Sequence, residues 1–139
     1  MNEEDDPVDI RGKVAVITGT KRIGSVVGLR LAERGADVVL TYNRSKKEAE
    51  VTADLIKNMG RRAMTLQANL SLSQDTQSMV KEILSQMDRI DILVNMASVY
   101  LSKPFIESNE ADWDENISIN LKSAYLCAKA VLPVMRSAS

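Results

Sequence analysis

A chain of 139 residues carries material for one domain with a single core. Its 45% hydrophobic and 27% charged residues are typical of a soluble globular protein, and a net charge of −1 leaves no electrostatic footprint for nucleic acid. One cysteine and no histidine exclude a disulfide framework, a zinc site and histidine-based catalysis.

The N-terminus, Asn2-Glu3-Glu4-Asp5-Asp6-Pro7, is acidic and leads into no apolar h-region. Residues 1–10 therefore read as a flexible tail rather than a signal peptide. No apolar run reaches membrane-spanning length, so the expected compartment is the cytoplasm and no membrane partner is expected. Lys13 to Thr18 is a continuous apolar strand, as a parallel sheet covered on both faces requires. It empties through Thr18-Gly19-Thr20-Lys21-Arg22-Ile23-Gly24 onto a helix carrying Ile23, Val26, Val27 and Leu31 on one stripe. Unpaired N–H groups and the helix dipole make such a turn an anion site, here for a nucleotide phosphate over residues 19–24.

Gly35 stops that helix, and Asp37 to Thr41 is the second strand. Ser45 with Glu48 forms a capping-box pattern for a second helix, which places Ala49, Ala53 and Ile56 on one face and ends at Gly60. Arg62 to Ala68 is a third strand. Ser71 or Ser73 caps a third helix with Met79, Val80, Ile83 and Met87 as its stripe, and Asp91 to Asn95 is a fourth strand. After a loop with Pro104, Ser108 or Asn109 opens a long helix to about Met135, with Trp113, Ile117, Leu121, Tyr125 and Ala128 in line. Four strand–helix alternations with right-handed crossovers give an α/β fold, a doubly wound Rossmann-type parallel sheet in the order 3-2-1-4.

These motifs together resemble the short-chain dehydrogenase/reductase family over nearly the whole chain. Thr18-Gly19-Thr20-Lys21-Arg22-Ile23-Gly24 is similar to its T-G-x-x-x-G-x-G loop, one residue shorter and with Arg22 in place of the middle glycine. Asn69-Leu70 matches its adenine-bracketing Asp-Val/Leu pair, and Asn95-Met96-Ala97-Ser98 its N-N-A-G. Trp113 with Ile119-Asn120-Leu121 matches its W-x(5–6)-N-L. Arg22 and Ser98 are closer to the pteridine reductases of the family. The resemblance implies a nicotinamide site built from Gly19, Thr20, Lys21, Arg22, Ile23, Gly24, Asn69, Leu70, Asn95, Ala97 and Ser98. It also implies that Asn120 is the active-site asparagine, whose side chain opens its helix and fixes a water of the proton relay.

The second strand ends in Thr41-Tyr42-Asn43-Arg44-Ser45, without the carboxylate an NAD enzyme places on the ribose 2′-hydroxyl. Arg44 and Ser45, beside Asn43 and across from Lys21 or Arg22, instead suit a 2′-phosphate, so NADP(H) is the expected cofactor.

The family's catalytic Ser and Tyr-x-x-x-Lys are absent. Residues 11–139 thus read as the NADP-binding part of a longer protein, inactive alone, with its fourth strand as an open edge. Tyr125-Leu126-Cys127-Ala128-Lys129 has the Y-x-x-x-K spacing but no partner serine, and reads as structural, with Tyr125 at an aromatic core position. Cys127 and the seven methionines read as packing, and Trp113 as a packing anchor. The resemblance implies hydride exchange with a small carbonyl or alcohol, a 3-oxoacyl thioester first and a pteridine second, and a homo-oligomer using the long helix. A non-catalytic NADP-binding module is the alternative. No metal is expected.

Overall fold

The computed structural model describes residues 8–100 and 102–137. The acidic segment up to Pro7 and the final two residues lie outside that range. Four strands form one parallel sheet: β1 (Val14–Thr18), β2 (Asp37–Tyr42), β3 (Ala63–Gln67) and β4 (Ile92–Asn95), in the order β3-β2-β1-β4. This is the expected order. Thr18 stands level with Thr41 on one side and Asn95 on the other, so the strands end together at one carboxyl edge.

Three helices cross over between strands: α1 (Ile23–Glu33), α2 (Lys46–Asn58) and α3 (Ser73–Met87). After β4 come a 3-10 turn (Phe105–Glu107) and then α4 (Glu110–Ile117), a widened π-type segment (Ser118–Lys122) and α5 (Ser123–Ser137). Asn109 begins this run with a capping box: its side chain accepts from the Asp112 amide at 3.0 Å, and the Asp112 carboxylate accepts from the Asn109 amide at 2.9 Å.

Alternation along the buried strands splits the core in two. Ile17, Val38 and Leu40 face Ala32 of α1 and Ala49, Ala53 and Ile56 of α2. Val14, Val16 and Val39 face Met79, Val80, Ile83 and Met87 of α3 and Cys127 and Val131 of α5. The stripes read for α2 and α3 are thus the buried ones.

Three expectations need correction. On α1, Ile23 and Val26 are exposed, and the face on the sheet is Gly24, Gly28 and Ala32. A Cβ on Gly28 would stand 3.2 Å from Leu40 Cδ2 and 3.3 Å from Ile17 Cδ1, so the helix sits too close for larger residues. Ser45 is the N-cap of α2 but its side chain caps nothing, and the N-cap of α3 is Leu72 rather than a serine. Ser71 is held back by Asn69, whose Oδ1 accepts from its amide and hydroxyl, and Asp75 instead accepts the Asn69 amide at 2.9 Å. Finally, Trp113 is 68% and Tyr125 59% exposed, so neither is an anchor or a core residue. Phe105 and Ile106, just before α4, are exposed as well, because this part of the chain runs past the sheet. Lys129 Nζ lies 3.3 Å from the Tyr125 hydroxyl and over its ring.

Candidate dinucleotide site

The charged clusters of the fold lie at the amino edge of the sheet. Asp37, only 5% exposed at its side chain, accepts from Arg61 at 2.6 Å, from Arg62 Nε at 2.8 Å and from the Arg62 amide at 3.0 Å. Burial works to raise its carboxyl, but the hydrogen bonds of Arg62 and both guanidinium charges outweigh it and hold the group below its ordinary value. Asp91 accepts from the Val14 amide at 2.8 Å and from Arg89, and the same balance of burial against Arg89 lowers it. Both carboxylates fix where strands start.

The carboxyl edge is built differently. Gly19 ends β1 with φ 78°, and a Cβ there would meet Ala97 Cα and Met96 O at 2.8 Å. The loop after β4 therefore lies directly on Gly19. Thr18 locks it there, since its hydroxyl oxygen accepts from the Met96 amide at 3.0 Å and the Ala97 amide at 3.1 Å. In the sequence Thr18 read as a strand end and the first residue of the glycine-loop motif, not as a site residue; a hydroxyl closing a buried apolar strand was the available signal. A Cβ on Gly24 would run into the Gly19 carbonyl, so the first turn of α1 folds back tightly over the strand end.

Thr20 is buried and donates its hydroxyl to the Thr41 carbonyl at 2.8 Å, tying the β1–α1 loop to the end of β2. Its side chain thus faces the fold, and only its backbone borders the turn. Lys21, Arg22 and Ile23 are exposed. Arg22, the N-cap of α1, adopts φ 58° and ψ −107°, backbone space that glycine favours, which fits a residue in a glycine's place. Past β2, Asn43 and Arg44 are exposed and Ser45 is half-buried; the Asn43 carbonyl accepts from Gln67 at 3.1 Å. Among the described residues no carboxylate pairs with Lys21, Arg22 or Arg44. After β3, Leu70 is buried in the α3-side core while Asn69 shapes the turn; after β4, Asn95 and Ser98 are exposed and Ala97 is half-buried. The sequence-derived residues therefore gather along one edge, around the ends of four strands.

Asn120 sits in the widened segment. Its Oδ1 accepts from the Val99 amide at 2.8 Å and its Nδ2 donates to the Val99 carbonyl at 3.0 Å, joining the long helix to the loop after β4. Cys127 is buried on α5, and burial pushes its thiol up to about 11, so it carries no nucleophile. Among the described residues no cluster of metal-ligating side chains occurs, and no helix is long and apolar enough to cross a membrane.

A 3-2-1-4 parallel sheet with a glycine-lined turn between its first strand and first helix defines a Rossmann-type nucleotide fold, with its crevice beyond the strands' carboxyl ends. The family model described as short chain dehydrogenase matches residues 13–139. A 3-oxoacyl-[acyl-carrier-protein] reductase of Staphylococcus epidermidis is 36% identical over 124 residues, covering 88% of this chain and 51% of that protein. A dehydrogenase/reductase from Sinorhizobium meliloti superposes with a TM-score of 0.87 at 30% identity, covering 91% of this chain and 51% of its own. A short chain dehydrogenase from Burkholderia cenocepacia, solved in complex with NADP, gives 0.87 at 29% identity, with coverages of 92% and 53%. The chain belongs to the short-chain dehydrogenase/reductase family of oxidoreductases. It spans about half the length of the curated relatives it matches.

Proposed function

We propose that this chain is the cofactor-binding half of an NADP(H)-dependent oxidoreductase acting between a carbonyl and an alcohol. The observation that carries the cofactor choice is the end of β2: Arg44 stands exposed and unpaired among the described residues, and no acid occupies Thr41–Ser45. Thr20 brings Lys21 and Arg22 to the same strand end through its bond to Thr41. Three cations on two adjoining loops suit a 2′-phosphate, for which a carboxylate would be repulsive. The missing Cβ atoms at Gly19 and Gly24 let the loop after β4 and the first turn of α1 pack onto the end of β1, which sets the turn whose amides would hold a pyrophosphate.

In this reading the amides of residues 20–24 and the start of α1 hold the pyrophosphate. Arg44, with Ser45, Asn43 and Lys21 or Arg22, holds the adenosine phosphate, and Asn69-Leu70 borders the adenine. Asn95, Ala97 and Ser98 line the crevice on the other side. The bound cofactor supplies or accepts hydride at C4 of its nicotinamide. Asn120 belongs to the active-site end, held by Val99 beside the crevice. The exposed Tyr125–Lys129 pair stands on α5 with no serine partner, and Trp113, not a hydroxyl, lies twelve residues before it. The reductases among the relatives favour a 3-oxoacyl thioester as substrate; Arg22 in the glycine position and Ser98 keep a pteridine as the second reading. The exposed faces of α4, the widened segment and α5, with Trp113, Leu121, Tyr125 and Leu132, favour a homo-oligomer through the long helix.

The test is the dissociation constant of each nicotinamide cofactor. NADPH is expected to bind at least tenfold more tightly than NADH, a charge-assisted hydrogen bond being worth about 1.5–3 kcal/mol. Arg44→Ala is expected to remove most of that preference while leaving NADH binding unchanged. Equal affinity for both cofactors in the unsubstituted chain overturns the NADP reading.

A further inference from the structure

Between α1 and α2 lies a chain of hydroxyls that the packing there does not require. Thr52, 4% exposed on α2, belongs to a helix face otherwise made of Ala49, Ala53 and Ile56. A buried hydroxyl is unfavourable unless bonded, and a valine would fill the same volume. The Thr52 hydroxyl lies 2.9 Å from Ser25 Oγ and 2.8 Å from the carbonyl of Glu48, one turn back. Ser25, on the first turn of α1, donates to the Thr20 carbonyl at 2.6 Å, so its oxygen is available to accept from Thr52. Thr20 donates in turn to Thr41. The single Thr52 proton is shared between Ser25 and the Glu48 carbonyl; when it points to Ser25, both hydroxyls align toward the Thr20 carbonyl and each bond polarises the next.

We propose that Ser25 and Thr52 are positioning residues that set the β1–α1 loop for the dinucleotide, an inference that rests on the cofactor reading above. Thr20 is gripped at both ends, by its carbonyl from Ser25 and by its side chain on β2. Two residues further on, Arg22 holds φ 58° and ψ −107°. A non-glycine residue keeps such a conformation only where its surroundings over-determine it. The hydroxyl chain supplies that determination: it fixes where the loop leaves the strand, and so where the amides of residues 21–24 and the Lys21 and Arg22 side chains point. α2 thereby acts on the cofactor without touching it.

The experiment is NADPH titration by fluorescence on the full chain, with Ser25→Ala, Thr52→Val and Thr52→Ser, alongside melting curves and amide exchange at residues 21–24. Ser25→Ala and Thr52→Val are expected to raise the NADPH dissociation constant about 3- to 10-fold, the worth of one hydrogen bond. Amide exchange of the loop is expected to quicken in both. Thr52→Ser, which keeps the hydroxyl, is expected to stay within about twofold of the unsubstituted chain. Should Thr52→Val fail to fold, Ser25→Ala decides alone, since it sits on the half-buried first turn. Unchanged NADPH binding in Ser25→Ala and Thr52→Val, or a Thr52→Ser variant as weak as Thr52→Val, overturns this inference and leaves the cofactor reading standing. No NADPH binding by the unsubstituted chain overturns the cofactor reading and this inference with it.

Discussion

Gly24→Ala puts one methyl group where the fold has no room for it. Its Cβ would lie 3.0 Å from the Gly19 carbonyl carbon and closer still to the oxygen. Neither partner yields easily. The Gly19 carbonyl is backbone, and Gly19 is itself pinned, with the Ala97 and Met96 backbone at the site of its own missing Cβ. To reach an ordinary separation the first turn of α1 must retreat by about 1.5 Å, and overpacking of this kind costs about 1–3 kcal/mol. Alanine's better helix propensity returns at most about 1 kcal/mol. A net loss of about 1–2 kcal/mol in urea unfolding is expected, together with a fall of more than tenfold in NADPH affinity, because the displaced turn carries the amides proposed to hold the phosphate. Gly28→Ala is the control. Four residues along the same helix, its Cβ would meet side-chain ends, those of Leu40 and Ile17 at 3.2 and 3.3 Å and Val38 at 3.7 Å. It is expected to change stability and leave NADPH affinity within about threefold. A Gly24→Ala variant with unaltered cofactor affinity would show that the turn is not where phosphate binds.

Thr41 is fully buried and its hydroxyl oxygen has no partner among the described residues, so Thr41→Val is expected to raise the unfolding free energy by about 1 kcal/mol; a loss would show that the hydroxyl is satisfied. Asp37 has a carboxyl lowered in the folded state, so it stabilises the fold above its ordinary value of 3.8 and loses that contribution as pH falls through the lower folded value. Asp37→Asn is therefore expected to cost about 1–3 kcal/mol at neutral pH and to show a shallower acid limb below pH 3.8, read by pH-dependent denaturation; identical acid limbs would dismiss the assignment. Asn120→Ala removes both bonds to Val99 and is expected to speed Val99 amide exchange by about tenfold with little change in NADPH affinity.

The strands were legible because Val14–Ile17 and Val38–Leu40 are apolar runs that only a sheet covered on both faces can bury, and their order followed from the Rossmann-type fold those strands implied. The α2 and α3 stripes were legible for the same reason. What escaped the sequence depended on partners that no local pattern names. On α1 Ile23 and Val26 face outward, and Val27 and Leu31 pack only partly, because the closest contact with the sheet is made by Gly24 and Gly28, whose contribution is the absence of a side chain. Ser45 and Ser73 had the right type and place for caps, but a cap needs an oxygen aimed at an amide, and among the described residues only Asn109 achieves it. Trp113 and Tyr125 follow a helical period faithfully, yet a period marks a face and not what lies against it. At the site, glycines and cations were readable residue by residue. The grip of Thr18 on Met96 and Ala97, which spans nearly eighty positions, was not.

The backbone of Arg22 sets two demands against each other. Glycine would relax a conformation that costs an arginine on the order of 1–3 kcal/mol, but it would take a cation from the mouth of the crevice. Variants chosen from a library for heat resistance alone would therefore drift toward glycine at 22, and those chosen for growth on scarce cofactor would drift back to arginine.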